Sequence, residues 1–220
     1  MEKKNLVIFG NSEFAEIAFE YFSLSDNYRV VAFCVHRDYL KSEIFLNLPL
    51  VPFEDIELYF SPRTHWFFAA CVYTRLNRLR TQVYLDAKAK GFELASYISP
   101  HAFVSENAKL GEHVFIFENV VIQPGVQIGN NVVIWSGGLI SHHSVISDNV
   151  FIAPGVAISG GVHLGDSCFV GIGATIIHAT KVGRDCFLAS RSHVVSNIPE
   201  DSFVKGRRPT GASARAFFGI

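Results

Sequence analysis

The amino-acid sequence predicts a chain of two structural units, a small parallel α/β domain followed by a stacked β-solenoid. An aliphatic residue stands at every sixth position from Ile98 to Val194, seventeen times in succession. A short and fixed period of this kind indicates a solenoid of stacked coils. Before Tyr97, short apolar runs alternate with stretches of helical spacing, which favours a parallel sheet with right-handed crossovers.

Three apolar runs in the first part of the chain predict buried strands, namely Leu6–Phe9, Tyr28–Val35 and Trp66–Val72. An amphipathic stretch from Ser12 to Phe22 predicts a helix after the first strand. Thr74 can cap a second helix, whose apolar positions and terminal glycine are Leu76, Leu79, Val83, Ala87 and Gly91. Three prolines predict a looser connection between the second and third strands: Pro49, Pro52 and Pro62.

The composition is that of a globular protein and excludes several function classes. Hydrophobic residues make up 49% of the chain, charged residues 18%, and the formal net charge is -1. Such a balance argues against nucleic-acid binding, which needs a basic surface. No apolar run is long enough to span a membrane, and no signal peptide is apparent. The four cysteines lack C-x-x-C spacing, and we expect a cytoplasmic protein with buried thiols.

The solenoid carries a second periodic feature that agrees with the first. Two positions before each aliphatic residue the side chain is small or narrow, as at Ala102, Val126, Gly138, Ser144 and Cys186. Neither the period of 2 of an exposed strand nor the period of 3.6 of a helix fits this pattern. The repeat explains nearly every aliphatic residue and glycine in this half, so residues that carry chemistry must be those that break it.

The outstanding break is the repeat from Ile140 to Val145, which contains the adjacent histidines His142 and His143. If three repeats of six residues make one coil of 18, then His142, Gly160 and His178 fall in one column. Coils are separated by the strand spacing of about 4.8 Å, so the two histidines should lie roughly 10 Å apart. The bare backbone of Gly160 should leave a groove between them for a thin ligand.

Two exposed histidines beside a groove could act as a base that takes a proton from an incoming amine or hydroxyl. Histidine suits this role near neutral pH. We therefore predict that His142 and His143 are catalytic residues.

Four motifs carry a resemblance to a known family: Leu110-Gly-Glu-His-Val, Ile128-Gly-Asn-Asn-Val, Leu164-Gly-Asp-Ser-Cys and Val182-Gly-Arg-Asp-Cys. They look like the left-handed parallel β-helix of hexapeptide-repeat acyltransferases. With Leu6-Val-Ile-Phe-Gly-Asn-Ser near the start and Leu94-Ala-Ser-Tyr-Ile-Ser-Pro at the junction, the whole chain resembles the NeuD/PglD-type sugar acetyltransferases. The resemblance implies an α/β N-terminal Rossmann-like domain (residues 1–96), a single-stranded left-handed parallel β-helix (97–198) and a C-terminal tail (199–220).

The family resemblance implies a catalytic histidine at His142, followed by an acidic residue whose place His143 takes. It also implies that acetyl-CoA, the acyl donor, binds along the β-helix, with no metal. The residues implied for acetyl-CoA are Gly160, Gly171, Ile172, Ala189, Ser190, Lys205, Arg207 and Arg208. The three cations of the tail suit the phosphates of CoA.

The resemblance further implies a nucleotide-linked sugar in the N-terminal domain, as a precursor for surface polysaccharide or another glycan. The substrate-binding residues would be Gly10, Asn11, Ser12, His36, Asp38, Tyr73 and Arg75. The chain departs from the family at Glu13 and Phe14, which replace a glycine and its neighbour, and Glu13 works against a close pyrophosphate. A helix N-terminus at this turn still favours an anion.

Two other functions stay open at this point. One is a zinc hydratase of the γ-carbonic-anhydrase kind, with His142, His163 and His178 as ligands. The other is a non-catalytic binding scaffold. The resemblance also implies a homotrimer, and six aromatic residues are candidates for its open faces: Phe115, Phe117, Trp135, Phe151, Phe169 and Phe187.

Overall fold

The computed structural model describes residues 2–206, and its first part is a six-stranded sheet flanked by helices. In chain order the elements are β1 (Lys4–Phe9), α1 (Glu13–Ser23), β2 (Tyr28–Val35), β3 (Ile44–Phe45), β4 (Leu48–Pro52), α2 (Ile56–Tyr59), β5 (His65–Ala69), α3 (Arg78–Ala89) and β6 (Glu93–Leu94). The 3₁₀ turns Arg37–Tyr39 and Phe53–Asp55 follow β2 and β4. The strand order is β3-β4-β2-β1-β5-β6, and all pairings are parallel except the β3–β4 hairpin.

The central strands of this sheet are buried on both sides, which explains their continuous apolar runs. Leu6 and Ile8 of β1 face α1, whereas Val7 and Phe9 face α2 and α3. All four side chains are at most 5% exposed. The sheet is therefore the middle layer of three. Helices α2 and α3 lie on one side of it, and α1 and the second structural unit lie on the other.

Two parts of this unit differ from the sequence prediction. The predicted start of the last helix at Thr74 is wrong, because Arg75, Leu76 and Asn77 form a left-handed turn and α3 begins at Arg78. The buried Asn77 amide stabilises this turn by donating to the carbonyls of Ser167 and Cys168. The proline-rich connection contains the hairpin of β3 and β4, where a short strand near the sheet edge tolerates proline.

The second unit is a three-faced parallel β-helix made of two-residue strands. The first face contains β7 (Tyr97–Ile98), β10 (Phe115–Ile116), β13 (Val133–Ile134), β16 (Phe151–Ile152), β19 (Phe169–Val170), β22 (Phe187–Leu188) and β24 (Phe203–Val204). The second face contains β8 (Phe103–Val104), β11 (Val121–Ile122), β14 (Leu139–Ile140), β17 (Ala157–Ile158), β20 (Thr175–Ile176) and β23 (His193–Val194). The third face contains β9 (Lys109–Leu110), β12 (Gln127–Ile128), β15 (Val145–Ile146), β18 (His163–Leu164) and β21 (Lys181–Val182).

Both periodic features of the sequence line the interior of the β-helix. Paired residues of adjacent coils differ by 18, as in Phe115 with Val133. The aliphatic positions from Ile116 to Val194 are at most 4% exposed, and the narrow positions fill the corners between them. Only the terminal coil differs, since Ile98 is 43% exposed where no further coil covers it.

The first face of the β-helix is covered by the N-terminal unit of the same chain. Phe115 lies within 6.0 Å of the rings of Phe14 and Phe22 on α1 and of Phe68 on β5. The expectation that the aromatic residues form open faces between subunits is therefore wrong for the buried Phe115, Phe117, Phe151 and Phe169. Trp135 and Phe187 are half-buried at the same interface.

A polar group lies in the centre of this interface. The buried guanidinium of Arg80 donates to Asn131 Oδ1 and to three backbone carbonyls of the β-helix. His113 is also buried; its Nε2 accepts the backbone N–H of Ala69 at 2.9 Å, and its Nδ1 lies 2.9 Å from Asn131 Oδ1. These directional bonds specify how the two units are joined.

Across residues 2–206, helices are too short or too polar to cross a lipid bilayer.

Candidate active site

The two adjacent histidines lie at the corner between the second and third faces, where β14 leads into β15. Ser144 points inward, and its hydroxyl donates to the carbonyl of Ser159 in the next coil. His142 and His143 point outward, and both are exposed. His143 has a left-handed backbone, with φ 58°, which gives the chain its sharp change of direction. The repeat therefore sets two neighbouring imidazoles on a rigid corner.

The two imidazoles contact each other directly. His142 Nδ1 lies 3.2 Å from His143 Nδ1, so one ring nitrogen donates a hydrogen bond to the other. If His142 is the donor, its Nε2 keeps the lone pair that a base needs. His143 thus occupies the place at which the family resemblance implies an acidic partner.

The prediction of an open groove between His142 and His178 is wrong in one respect, because the His142 ring itself occupies the space beside Gly160. A Cβ atom at Gly160 would lie 2.5 Å from Cε1 and 2.6 Å from Nε2 of His142. The ring centroids of His142 and His178 are 6.4 Å apart, since both rings lean into the space between their coils. The missing side chain of Gly160 therefore accommodates an imidazole.

A backbone donor lies next to this ring. Ser159 and Gly161 donate their N–H groups to carbonyls of neighbouring coils. The N–H of Gly160 has no acceptor among residues 2–206. An unpaired backbone N–H can donate to an oxyanion that forms within hydrogen-bond distance of it.

A cavity of about 300 Å3 opens on the second face beside these groups. It is lined by Leu139, Ser141, Ala157, Ser159, Thr175, Ile177 and His178, with backbone from neighbouring residues. Ala157 stands between Leu139 and Thr175 in register, and its small side chain makes the depression. The cavity reaches the corner of His142 and could hold a narrow, partly apolar ligand.

The structure brings together four of the residues predicted for acetyl-CoA, and these four lie at a different corner from Gly160. Gly171, Ile172, Ala189 and Ser190 lie in adjacent coils at the corner between the first and second faces. Ile172 is 57% exposed there. Lys205 is exposed just beyond β24, and Arg207 and Arg208 lie outside the described residues.

The N-terminal unit has a cavity of about 250 Å3 at the carboxyl ends of β1, β2 and β5. Its lining includes the predicted Gly10, Asn11, Ser12 and His36, together with Tyr39, Cys71, Val72, Thr74 and Leu79, which sequence reasoning missed. They follow the same strand ends as the predicted residues, so topology was the available signal. Phe14 does not enter the cavity, because it is buried against Phe115 and Trp135.

Three predicted substrate residues do not line this cavity. Tyr73 packs on the first face, with its ring 4.3 Å from that of Phe169. Arg75 lies in the left-handed turn before α3, and Asp38 lies in the 3₁₀ turn after β2. The strand end is the one predicted, but the side chains that reach the cavity are their neighbours.

Glu54 fixes the turn that carries His36. Its carboxylate accepts the backbone N–H of Arg37 and lies 2.9 Å from His36 Nδ1. Burial alone would raise the pKa of Glu54, but hydrogen bonds from backbone N–H groups and from His36 outweigh burial and lower it. Glu54 is therefore a carboxylate that holds His36 at the rim of the cavity.

The three histidines considered for zinc are not brought together within the chain. His163 lies on β18 of the third face, whereas His142 and His178 lie at the corner before that face. In the part of the chain that the structure describes, no three His, Cys, Asp or Glu side chains converge as metal ligands would.

Comparisons with known proteins agree with the fold. The family model described as "Bacterial transferase hexapeptide (six repeats)" matches residues 107–142. No curated protein sequence matches the chain.

Several solved structures are similar over nearly the whole chain. The acetyltransferase domain of PglB from Neisseria gonorrhoeae, in complex with acetyl coenzyme A, has 22% identity and a TM-score of 0.82, covering 94% of this chain and 100% of that one. WeeI from Acinetobacter baumannii has 16% identity and a TM-score of 0.76, covering 93% and 97%. These two show the fold, a left-handed parallel β-helix behind an N-terminal α/β unit.

A third similar structure has a slightly higher identity. It is a histidine-to-asparagine variant of perosamine N-acetyltransferase from Caulobacter crescentus, in complex with CoA and GDP-perosamine. It has 25% identity and a TM-score of 0.83, and the match covers 92% of this chain and 97% of that one.

Proposed function

We propose that this chain, which belongs to the NeuD/PglD-type sugar acetyltransferases with a hexapeptide-repeat β-helix, transfers the acetyl group of acetyl-CoA to a nucleotide-linked sugar. The acceptor atom is an amine nitrogen or a hydroxyl oxygen of the sugar. The observation that carries the proposal is the imidazole pair of His142 and His143 near Gly160, whose N–H has no acceptor within residues 2–206.

The reaction needs no acyl-enzyme. His142 Nε2 takes a proton from the sugar amine or hydroxyl as that group attacks the thioester carbonyl carbon. The N–H of Gly160 stabilises the oxyanion that forms. The C–S bond then breaks, and the CoA thiolate leaves with the proton that His142 received. His143 accepts the Nδ1–H bond and keeps Nε2 directed at the acceptor.

We place acetyl-CoA across the second face. Its thioester enters the cavity beside Ala157 and Thr175, next to the His142 corner. Its pantetheine and nucleotide extend along the corner of Gly171, Ile172, Ala189 and Ser190. Lys205 and the cations Arg207 and Arg208, which are outside the described residues, bind the phosphates.

The sugar nucleotide binds to the N-terminal unit, which we interpret as Rossmann-like and assign to residues 1–96, before the acyltransferase domain (97–198) and the tail (199–220). The cavity lined by Gly10, Asn11, Ser12 and His36 holds the nucleotide. Asp38, Tyr73 and Arg75 lie on the same strand ends and contact the parts of the ligand outside the cavity. The similar perosamine N-acetyltransferase was solved with a sugar nucleotide, GDP-perosamine, which supports this assignment.

One chain does not bring its two sites together, which supports an oligomer, and we propose the homotrimer that the family resemblance implies. The N-terminal unit covers the first face, whereas His142 lies at the corner opposite that face. No other part of residues 2–206 covers the second face, where the apolar Phe103, Val121, Leu139 and Ala157 stand in register and Phe103 is 59% exposed. We propose that this face packs against a neighbouring copy, whose nucleotide cavity supplies the sugar to His142. We further propose a cytoplasmic role in glycan precursor synthesis.

The activity is tested by incubating the full chain with acetyl-CoA and a panel of nucleotide-linked amino sugars, with mass spectrometry of the products. We expect one sugar to gain an acetyl group. The variant His142→Ala should bind acetyl-CoA as the wild type does but lose about 10²–10⁴ in kcat/KM. Undiminished turnover by this variant would contradict the mechanism, and turnover dependent on stoichiometric zinc would favour the hydratase alternative.

The shared site is tested by complementation. His142→Ala copies and Val72→Trp copies, the latter with a blocked nucleotide cavity, are each expected to be inactive. Mixed oligomers made by co-expression should recover part of the activity, because an intact cavity then meets an intact His142. Absence of recovery in oligomers shown to be mixed would place both sites on one chain.

A further inference from the structure

The imidazole pair is exposed, and exposed side chains sample several rotamers. The contact between His142 Nδ1 and His143 Nδ1 forms only when both rings turn toward each other. Something other than burial must therefore hold the pair. The groups around it are Gln123 to Gly125 in the coil before, Gly160 in the coil after, and the ring of His178 one coil further on.

Gly125 provides a place for the His143 ring. A Cβ atom at Gly125 would lie 3.0 Å from Cδ2 and 3.2 Å from Nε2 of His143. The Cδ2–Nε2 edge of the ring thus lies against the bare backbone of the preceding coil. With that edge held there, the opposite side of the ring presents Nδ1 to His142.

The corner itself does not require glycine at this position. Gly125, His143 and Ala179 occupy equivalent positions in their coils, and all three have positive φ, at 75°, 58° and 56°. A histidine and an alanine thus adopt the left-handed conformation here. The backbone of this corner therefore accepts a side chain, and at Gly125 the space that a side chain would take holds the His143 ring.

Two hydrogen bonds hold the backbone of the histidine corner to the same preceding coil. Gln123 Oε1 accepts the N–H of His142 at 2.9 Å, and the carbonyl of Pro124 accepts the N–H of His143. The Gln123 contact uses a side chain, so it depends on this residue type. No Lys, Arg, Asp or Glu side chain of residues 2–206 forms a hydrogen bond or ion pair with the two rings.

We propose that Gln123 and Gly125 are positioning residues for acetyl transfer, which hold His143 against the preceding coil and so orient His142 as the base. The inference rests on the proposed function of His142. It adds that the coil from Gln123 to Gly125 acts only through the imidazole pair. In this proposal both residues act on the base and not on a substrate.

The central test compares Gly125→Ala with Gly155→Ala, in the full chain. Gly155 has a similar φ of 66°, and a Cβ there would meet no atom within 4 Å. Both variants carry the same backbone cost, but only Gly125→Ala displaces an imidazole. We expect kcat to fall about tenfold in Gly125→Ala and to stay within about twofold in Gly155→Ala. The KM for acetyl-CoA should not change in either variant.

A double-mutant cycle separates positioning from a general loss of structure. In a His143→Ala background, Gly125→Ala should have no further effect on kcat, because the ring that it displaces is absent. Gln123→Met, which removes the acceptor for the His142 N–H at similar size, should lower kcat about fivefold. A thermal unfolding midpoint for each variant identifies any that fails to fold, in which case Gln123→Met carries the test.

Different results would contradict the positioning role of Gln123 and Gly125 and the proposed function of His142. An equal loss of kcat from Gly125→Ala with and without His143 would overturn the inference, as would wild-type kcat in both Gly125→Ala and Gln123→Met. Wild-type activity in His142→Ala would instead overturn the proposed function, whatever the coil variants do.

Discussion

His113 and His143 occupy the same kind of backbone position and have opposite surroundings. Both are corner residues of the β-helix with a left-handed backbone, at φ 55° and 58°. His113 is 1% exposed, its ring is stacked 4.7 Å from that of Phe68, and both of its nitrogens have partners. His143 is exposed and contacts a second imidazole. The corner presents a histidine in both cases, and coverage by the N-terminal unit decides whether that histidine is structural or available for chemistry.

The surroundings also separate the two histidines electrostatically. Burial lowers the pKa of the His113 imidazole to about 3, because the charged form would lose its hydration. His113 is thus neutral in the folded protein at ordinary pH and accepts a backbone N–H as a neutral ring can. His142 and His143 remain in water at a surface that substrates can reach.

The largest expected effects come from removing the proposed catalytic histidine and the buried structural histidine in turn. His142→Ala should lower kcat/KM about 10²–10⁴-fold and change the free energy of unfolding by less than about 0.5 kcal/mol. His113→Ala should leave activity per folded molecule intact and lower the free energy of unfolding by about 2–4 kcal/mol. Urea unfolding and steady-state kinetics of the two variants measure both quantities. A loss of stability in His142→Ala equal to that in His113→Ala would contradict the assignment of a structural role to His113 alone.

Arg80 should be nearly as important for stability as His113. Arg80→Ala removes the donor to the carbonyls of Asn131 and Asn149 and leaves a cavity at the interface. We expect a loss of about 3 kcal/mol in the free energy of unfolding. Arg184→Ala is the matched control, since Arg184 forms an exposed ion pair with Glu200 and should cost at most about 0.5 kcal/mol. Similar losses in both variants would mean that the buried interface contributes no more than the surface.

The free energy of unfolding should depend on pH through the protonation of His113. The unfolded imidazole takes up a proton below pH 6.5, whereas the folded one does so only near pH 3, since its pKa is lowered. Unfolding therefore takes up a proton in this window, and stability falls as the pH drops from about 6.5 toward 3, by up to about 1.4 kcal/mol per pH unit. Urea unfolding at several pH values measures the slope. The slope should be shallower in His113→Gln, and an unchanged slope in that variant would assign it to other groups.

The smallest expected effect concerns the partner of the base. His143→Ala should lower kcat about tenfold, because His142 loses the group that orients Nδ1. His143→Glu keeps an acceptor next to His142 and should retain most of the activity. Steady-state kinetics with saturating acetyl-CoA compares the two. Equal losses in Ala and Glu variants would indicate that the ring of His143 has a role beyond accepting a hydrogen bond.

Part of the candidate site could be predicted from the sequence because the repeat is strict. With a period of 18 per coil, His142 and Gly160 had to be neighbours in space, and their contact is confirmed. The ring positions could not be predicted, because rotamers at an exposed corner depend on which neighbouring coil has room. Which side chains after Cys71 line the nucleotide cavity could not be predicted for a similar reason, because bonds from Asn77 to the β-helix hold the left-handed turn at Arg75 to Asn77.

The amino-acid sequence alone determined the β-helix, since a hydrophobic side chain at every sixth position can be buried in one continuous core only by stacked coils. It also marked the repeat that carries His142 and His143. Only the tertiary structure decided which face the N-terminal unit covers, because aromatic residues such as Phe115 suit an interface within a chain and one between chains equally well. Because the N-terminal unit covers the first face, His113 is buried and the corner of His142 and His143 stays open. The contacts that fix this arrangement involve Phe68, Arg80 and Asn131, which are too far apart in the sequence for a local pattern to predict.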